Sequence, residues 1–246
     1  MSNIQRAGVI LSCASILSCL LAGCRPRQGP ENSDREIIDR FNRIFYDSGV
    51  WRKTTWMGVQ TSQNPCDPWA MQEIISEIKP DLIIETGTWL GGSSLYFAMV
   101  LEQVNPAGKV VTVDIDDYRG PAAEAHPVFR NNVIFLEGDS VSPAVLRRIK
   151  KLAGVNKKVM VTLDSLHTKE HVLKELRLYS RFVSLGSYLI VQDTNIHGHP
   201  VFPEFPEGPM EALREFLKER DDFAIDESRE KFLLTAYPSG YLKRIK

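Results

Sequence analysis

Asp81-Leu-Ile-Ile-Glu-Thr-Gly-Thr-Trp-Leu-Gly-Gly-Ser-Ser94 reads as a buried strand, a glycine turn and the first residues of a helix. Leu82, Ile83 and Ile84 form a short apolar run closed by Glu85, and Gly87, Gly91 and Gly92 free the backbone to approach a ligand. Ser93 or Ser94 is placed to cap the helix that follows. Such a turn is where α/β proteins bind nucleotides. The carboxylate at the strand tip separates two cofactors: a dinucleotide pyrophosphate over the helix N-terminus would be repelled by Glu85, whereas an ammonium and a sulfonium would be attracted. The spacing Gly-x-x-x-Gly-Gly also differs from the Gly-x-Gly-x-x-Gly dinucleotide fingerprint. The turn therefore favours S-adenosylmethionine over NAD, with Glu85, Gly87, Thr88, Gly91 and Ser93 as its cofactor-binding residues. A tight turn without a ligand is the plainer alternative.

Outward from this turn the chain alternates strand and helix. Leu82–Glu85, Val110–Asp114, Val133–Leu136, Val159–Leu163 and Tyr188–Val191 are apolar and β-rich. Helical spacing falls between them at Ser93–Gln103, Pro143–Leu152 and Lys169–Tyr179. Right-handed crossovers between buried strands describe an α/β, Rossmann-like, doubly wound sheet. After a helix at Met210–Arg220, the runs Phe223–Ile225 and Phe232–Ala236 are too close for another crossover helix, which predicts seven strands with the last one antiparallel. Ahead of the turn, Glu36 to Tyr46 has helical apolar spacing, Trp51 to Trp69 is irregular and aromatic, and Ala70 to Ile78 reads as a helix stopped by Pro80.

In an open parallel sheet, ligands bind beyond the carboxyl ends of the strands, and acids gather there. Asp114 closes the second strand in the position of an acid that accepts from ribose hydroxyls. Asp139 follows the third strand, where a carboxylate can take a hydrogen bond from an adenine amine. Asp164 ends the fourth strand and Gln192-Asp193 the fifth, so these oxygens share one rim suited to a hard cation such as magnesium. Two acids side by side repel each other and call for a metal or a neighbouring cation. His167 lies three residues beyond Asp164 and is a candidate general base there, with Asp164 as the second catalytic residue. His171 makes a His-x-x-x-His pair with it, but the glutamate of the His-Glu-x-x-His zinc motif is missing. Any one of these acids could instead cap a helix or sit in a solvated turn.

The chain has 246 residues, 25% charged, with a formal charge of −1. That balance gives no support for nucleic-acid binding through phosphate neutralisation. Cys13, Cys19 and Cys24 fall in the leader and only Cys66 in the body, so no disulfide framework or cysteine metal site can be assembled. Ala7 to Cys24 carries no charge and ends in Leu-Ala-Gly-Cys24, like a bacterial lipoprotein signal. The expected organisation is a lipoprotein-type signal or membrane anchor at residues 1–24, a polar linker at 25–35 and an α/β domain at 36–246. Lipid on Cys24 would attach the protein to a membrane; an uncleaved anchor, flanked by more Arg on its C-terminal side, would leave the body facing the cytoplasm, as would a start codon placed too far upstream.

Ile84-Glu-Thr-Gly-Thr-Trp-Leu-Gly-Gly-Ser93, Leu163-Asp-Ser-Leu-His-Thr-Lys-Glu-His-Val172 and Gly186-Ser-Tyr-Leu-Ile-Val-Gln-Asp-Thr194 resemble the cephalosporin hydroxylase and rhamnosyl O-methyltransferase family. Gly208-Pro-Met-Glu-Ala212 and Tyr237-Pro-Ser-Gly-Tyr-Leu-Lys-Arg244 look like it too, so the likeness runs from about Phe41 to the C-terminus. The resemblance implies a class I methyltransferase fold, S-adenosylmethionine at the glycine turn, and magnesium held by Asp164, Gln192 and Asp193. The family has Glu where this chain has Gln192, an amide that brings no charge. The implied activity is O-methylation of a hydroxyl on a sugar, polyol or related small molecule. A cephalosporin-hydroxylase-type reaction and a lipid-anchored, non-catalytic binding protein are the alternatives. Trp51, Trp56 and Trp69 are candidates to stack on a sugar face or, alternatively, to pack the N-terminal helix.

Overall fold

The computed structural model describes residues 32–155 and 157–246; the lipoprotein-like segment, Cys24 and the linker up to residue 31 lie outside the described residues. The chain runs through α1 (Asn32–Asp47), a hairpin of β1 (Thr55–Trp56) and β2 (Val59–Gln60), α2 (Cys66–Ile78), β3 (Leu82–Thr86) and α3 (Gly92–Val104). It continues with β4 (Lys109–Asp114), α4 (Pro121–Ala125), α5 (Pro127–Asn132), β5 (Val133–Glu137), α6 (Pro143–Ala153), β6 (Val159–Leu163) and α7 (Lys169–Tyr179). Then come β7 (Tyr188–Val191), α8 (Pro209–Glu219), β8 (Phe223–Ile225) and β9 (Tyr241–Arg244). Residues 37–246 form one unit.

Among the described residues, seven strands form the main sheet in the order β5-β4-β3-β6-β7-β9-β8. The β3 strand pairs in parallel with β4 on one side and β6 on the other, Glu85 lying opposite Thr112 and Thr162. The winding therefore reverses at β3, and the crevice of a doubly wound sheet opens above its carboxyl end. Period-two alternation sends Leu82 and Ile84 to one face with Val145, Ile149, Leu176 and Phe216 of α6, α7 and α8. Ile83 goes to the other face with Met71, Ile75, Phe97 and Leu101 of α2 and α3. Covered on both sides, the central strands read as continuous apolar runs, and each buried Leu or Ile contributes about 1.5–3 kcal/mol.

The reversed strand is present but is built from other residues than expected. Phe232–Ala236 is not a strand: Phe232 and Leu233 are exposed, and Leu233 has a left-handed φ of +67°. What holds that segment is a buried carboxylate. Asp67 accepts the Ala236 amide at 2.8 Å, the Tyr241 hydroxyl at 2.9 Å and the Thr235 hydroxyl. The antiparallel strand is Tyr241–Arg244, set between β7 and β8. Gly240 lets it in, because a Cβ there would lie 2.3 Å from the Val191 carbonyl oxygen.

The segment read as irregular before Trp69 contains the β1–β2 hairpin, and two short helices, α4 and α5, precede β5. On α1 the apolar residues Ile37, Phe41 and Ile44 are all more than half exposed. Among the described residues, no helix is long and apolar enough to cross a membrane.

Candidate active site

The glycine turn is pressed onto the end of β6. Gly87 has φ +86°, and a Cβ on it would stand 1.8 Å from the Asp164 carbonyl oxygen. Its amide donates to Val113 at 2.8 Å, and the Asp164 amide donates to Thr86 at 2.9 Å, which joins the ends of three strands. The helix cap differs from the expected serine. Gly91 is the N-cap, without a side-chain bond, and Ser94 lies inside α3, where its hydroxyl donates to Glu85.

Glu85 is fully buried beneath the turn. Thr112 donates to its Oε2 at 2.7 Å beside Ser94, and Oε1 has no hydrogen-bond partner. Burial pushes Glu85 up to about 7 against the pull of nearby Ser93, Ser94 and Thr112 hydroxyls, and burial likewise pushes Asp67 up to about 7. Both groups keep a proton in the folded state that the unfolded chain releases near pH 4, so stability should fall as pH rises from about 4 to 7 and level off above. Each contributes on the order of 2–4 kcal/mol to that fall. Urea titrations of the ligand-free protein at pH 5 and pH 8 should show the difference, and Glu85→Gln should shrink it; an unchanged difference would refute this assignment of the proton.

Asp114 latches the turn. Its Oδ2 accepts the amides of Thr88 at 2.9 Å and Trp89 at 2.8 Å, and Oδ1 accepts the Ile115 amide at 2.8 Å. A lone pair on Oδ1 is left for one hydroxyl of a ligand. Asp139 uses one oxygen on the Val141 amide at 3.0 Å.

These residues wall a cleft of about 700 Å³, a size ordinary for a cofactor site. Gly87, Thr88, Ser93, Asp114 and Asp139 line it, whereas Glu85 and Gly91 lie behind the wall. Asp164 and Asp193 line it too, and among the described residues no Lys or Arg does. A cleft of that charge rejects a pyrophosphate and suits a ligand bearing ammonium and sulfonium groups.

At one end of the cleft Asp164, His167 and Asp193 converge. Their ligand atoms lie within 4.8 Å of one another, with His167 Nε2 3.2 Å from Asp193 Oδ2 and 3.8 Å from Asp164 Oδ1. Burial, then the charge of Asp193, holds Asp164 well above the usual carboxylate range. A cation between them would remove that penalty, so the donor set fits a divalent ion. One imidazole and two carboxylates is the converse of the two-histidine, one-carboxylate set of non-haem iron oxygenases.

Gln192 stands beside this group and does not join it. Its Oε1 accepts from Gln63 at 3.1 Å and from the Tyr237 hydroxyl, and its Nε2 donates to Thr162 at 2.8 Å. Both ends of the amide are thus committed to the protein. The other histidines do not join the group: His171 lines the cleft but its Nε2 faces Glu175 at 3.4 Å and Ser140 at 3.1 Å, His197 bonds the Phe205 carbonyl, and His199 bonds Glu211 at 2.6 Å. Of the three tryptophans considered as sugar platforms, Trp51 reaches the cleft, while Trp56 packs edge-on against Tyr96 at 4.9 Å and Trp69 is exposed outside it. Tyr46, Gln63, Asn195 and Tyr237 were not found from sequence, because each comes from a loop or helix whose position depends on tertiary packing.

The family model described as Rhamnosyl O-methyltransferase/CmcI matches residues 48–245. A rhamnosyl O-methyltransferase of Mycobacterium tuberculosis is 39% identical over 213 residues, covering 85% of each chain. That of Mycobacterium leprae is 36% identical over 211 residues, covering 85% of this chain and 90% of its own. Among solved structures, CmcI with Mg and SAM has a TM-score of 0.61 at 14% identity, covering 100% of this chain and 88% of that one. The O-methyltransferase TomG from Streptomyces achromogenes in complex with SAM has a TM-score of 0.54 at 14% identity, covering 94% and 96%. The solved structures share the class I methyltransferase fold, and the sequence match over most of the chain settles its kinship: this protein belongs to the rhamnosyl O-methyltransferase/CmcI family.

Proposed function

We propose that the protein methylates a hydroxyl of a sugar-containing small molecule, with a divalent cation such as magnesium held by Asp164 and Asp193 beside His167. As a member of its family it is an S-adenosylmethionine-dependent O-methyltransferase. The observation that carries the finer reading is the pair of acids Asp164 and Asp193, closed by His167 at 3.2 Å, at the end of a cleft that no Lys or Arg lines among the described residues. Sugar acceptors are suggested by the relatives' names, since the curated relatives are rhamnosyl O-methyltransferases.

Methyl transfer is an in-line displacement: the bond from sulfur to methyl carbon breaks, a bond from the acceptor oxygen to that carbon forms, and the hydroxyl proton must leave. When bound, a divalent cation lowers the pKa of a hydroxyl next to it. Asp164 and Asp193 provide the negative charge that holds such an ion, and His167 Nε2 is placed to accept the proton. Asp114 and Asp139 position the nucleoside part, Asp114 doing so only while it also holds the Thr88 and Trp89 amides. Around them, Gly87 and Thr88 let the backbone come close to the ligand.

Calorimetric titration of the purified protein with S-adenosylhomocysteine should give micromolar binding, and Asp114→Ala should weaken it at least about tenfold, the loss of one charge-assisted hydrogen bond and of the latch. Saturable binding of NAD in place of S-adenosylhomocysteine would overturn the reading.

A further inference from the structure

Asp164 and Asp193 also line a second cavity, of about 50 Å³, with Asn42, Tyr46, Trp51 and Asn195 among its walls. That volume has no room for a sugar ring; it admits one or two hydroxyl groups of a ligand whose body lies outside. Asn195 is 4% exposed there, and its Oδ1 is buried without a hydrogen-bond partner. The main chain of Asn195 is fully used, its amide donating to Ala236 at 3.2 Å and its carbonyl accepting from Val201 at 3.0 Å. Buried polar atoms are almost always paired, and an unpaired one on a side chain that lines a cavity marks the place of an absent donor. Beside it the Tyr46 and Trp51 rings stack at 5.4 Å with 23° between their planes, fixed by the Trp51 indole N–H on the Tyr46 carbonyl at 3.0 Å. A flat aromatic wall next to hydrogen-bonding amides suits the C–H face and hydroxyl edge of a pyranose.

We infer that Asn195 is a specificity-determining residue: its carboxamide oxygen accepts a hydrogen bond from the acceptor hydroxyl adjacent to the one methylated, so that the enzyme selects vicinal diols of a pyranoside. The inference rests on the proposed methylation of a hydroxyl at the Asp164–Asp193 rim. Asn195 follows Asp193 by two residues and shares its cavity, which holds only one or two hydroxyls, so the group it reads is a near neighbour of the reacting one.

The test uses methyl rhamnopyranoside and its 2-, 3- and 4-deoxy analogues with S-adenosylmethionine and magnesium. One deoxy analogue, lacking the reacting hydroxyl, gives no product, and a second lowers the wild-type kcat/KM about 30-fold, the worth of a buried hydrogen bond. Asn195→Ala should lose about the same factor on the full glycoside and then show no further loss with that second analogue. Its Tm should equal or exceed that of the wild type, since only an unpaired buried group is removed, and its affinity for S-adenosylhomocysteine should not change. Asn195→Ser, which keeps an acceptor atom, should recover part of the rate and serves if the alanine variant folds poorly. An Asn195→Ala enzyme with wild-type kcat/KM and the wild-type deoxy pattern overturns the inference. If no glycoside is methylated, calorimetry with the same glycoside decides: binding that Asn195→Ala weakens upholds the subsite and removes the methylation reading, whereas no binding to the wild type removes the subsite.

Discussion

Asp193→Asn is expected to lower kcat about a hundredfold to a thousandfold while S-adenosylhomocysteine affinity stays within about threefold. Asn is the apt replacement because Asp193 has a left-handed φ of +53°, a conformation Asn tolerates and Ala does not. The change therefore removes a charge without forcing the loop to move. In the native protein the Asp193 charge is one of the causes that lift Asp164 above the usual carboxylate range, so the variant should leave Asp164 easier to ionise and yet bind a divalent ion more weakly. It also replaces the carboxylate 3.2 Å from His167 with a neutral amide, weakening the hold on the imidazole. Magnesium or manganese titration followed by calorimetry, and transfer of labelled methyl, measure the two losses separately. Retention of more than a tenth of the wild-type rate would show that the rim is not where the acceptor hydroxyl is activated.

The sheet was legible because its signals are local. Leu82–Ile84 and Val159–Leu163 are continuous apolar runs, as strands buried on both faces must be, and Pro143 and Pro80 punctuate the helices from within the sequence. The acids at the strand ends were legible for the same reason, since a strand's last residue is fixed once the strand is. The last strand was misplaced because Phe232–Ala236 is more apolar than Tyr241–Arg244. The choice between them rests on Asp67, more than 160 residues away in sequence, taking the Thr235 hydroxyl and the Ala236 amide out of any ladder. Glu85 was placed by strand position, and Gln192 by strand position and the family resemblance, which give the end of the sheet but not the direction of a side chain. Their partners, Thr112 and Ser94 for one and Gln63, Thr162 and Tyr237 for the other, come from separate elements. Asn195 carries no motif at all; what distinguishes it is an unpaired oxygen, a property of packing and not of sequence.

Gly87→Ala is expected to cost about 3–5 kcal/mol and to abolish methyl transfer. Two penalties combine at this one position. The φ of +86° is a conformation that costs an L-residue about 1 kcal/mol. The larger penalty is steric: the new Cβ would lie 1.8 Å from the Asp164 carbonyl oxygen and 2.6 Å from its carbon, both backbone atoms. Asp164 cannot retreat cheaply, because its amide is bonded to Thr86 at 2.9 Å and β6 is paired on both sides. Any relief therefore moves the residue that begins the acidic rim, which ties the stability loss to the loss of activity. Gly49→Ala is the control: its φ is +65°, and nothing lies within 4 Å of the added atom, so only the conformational term of about 1 kcal/mol applies. For a domain of this size the two variants should differ in Tm by roughly 5–15 °C. A Gly87→Ala protein that melts with the Gly49→Ala control and still binds S-adenosylhomocysteine would show that the turn does not rest on β6 as described.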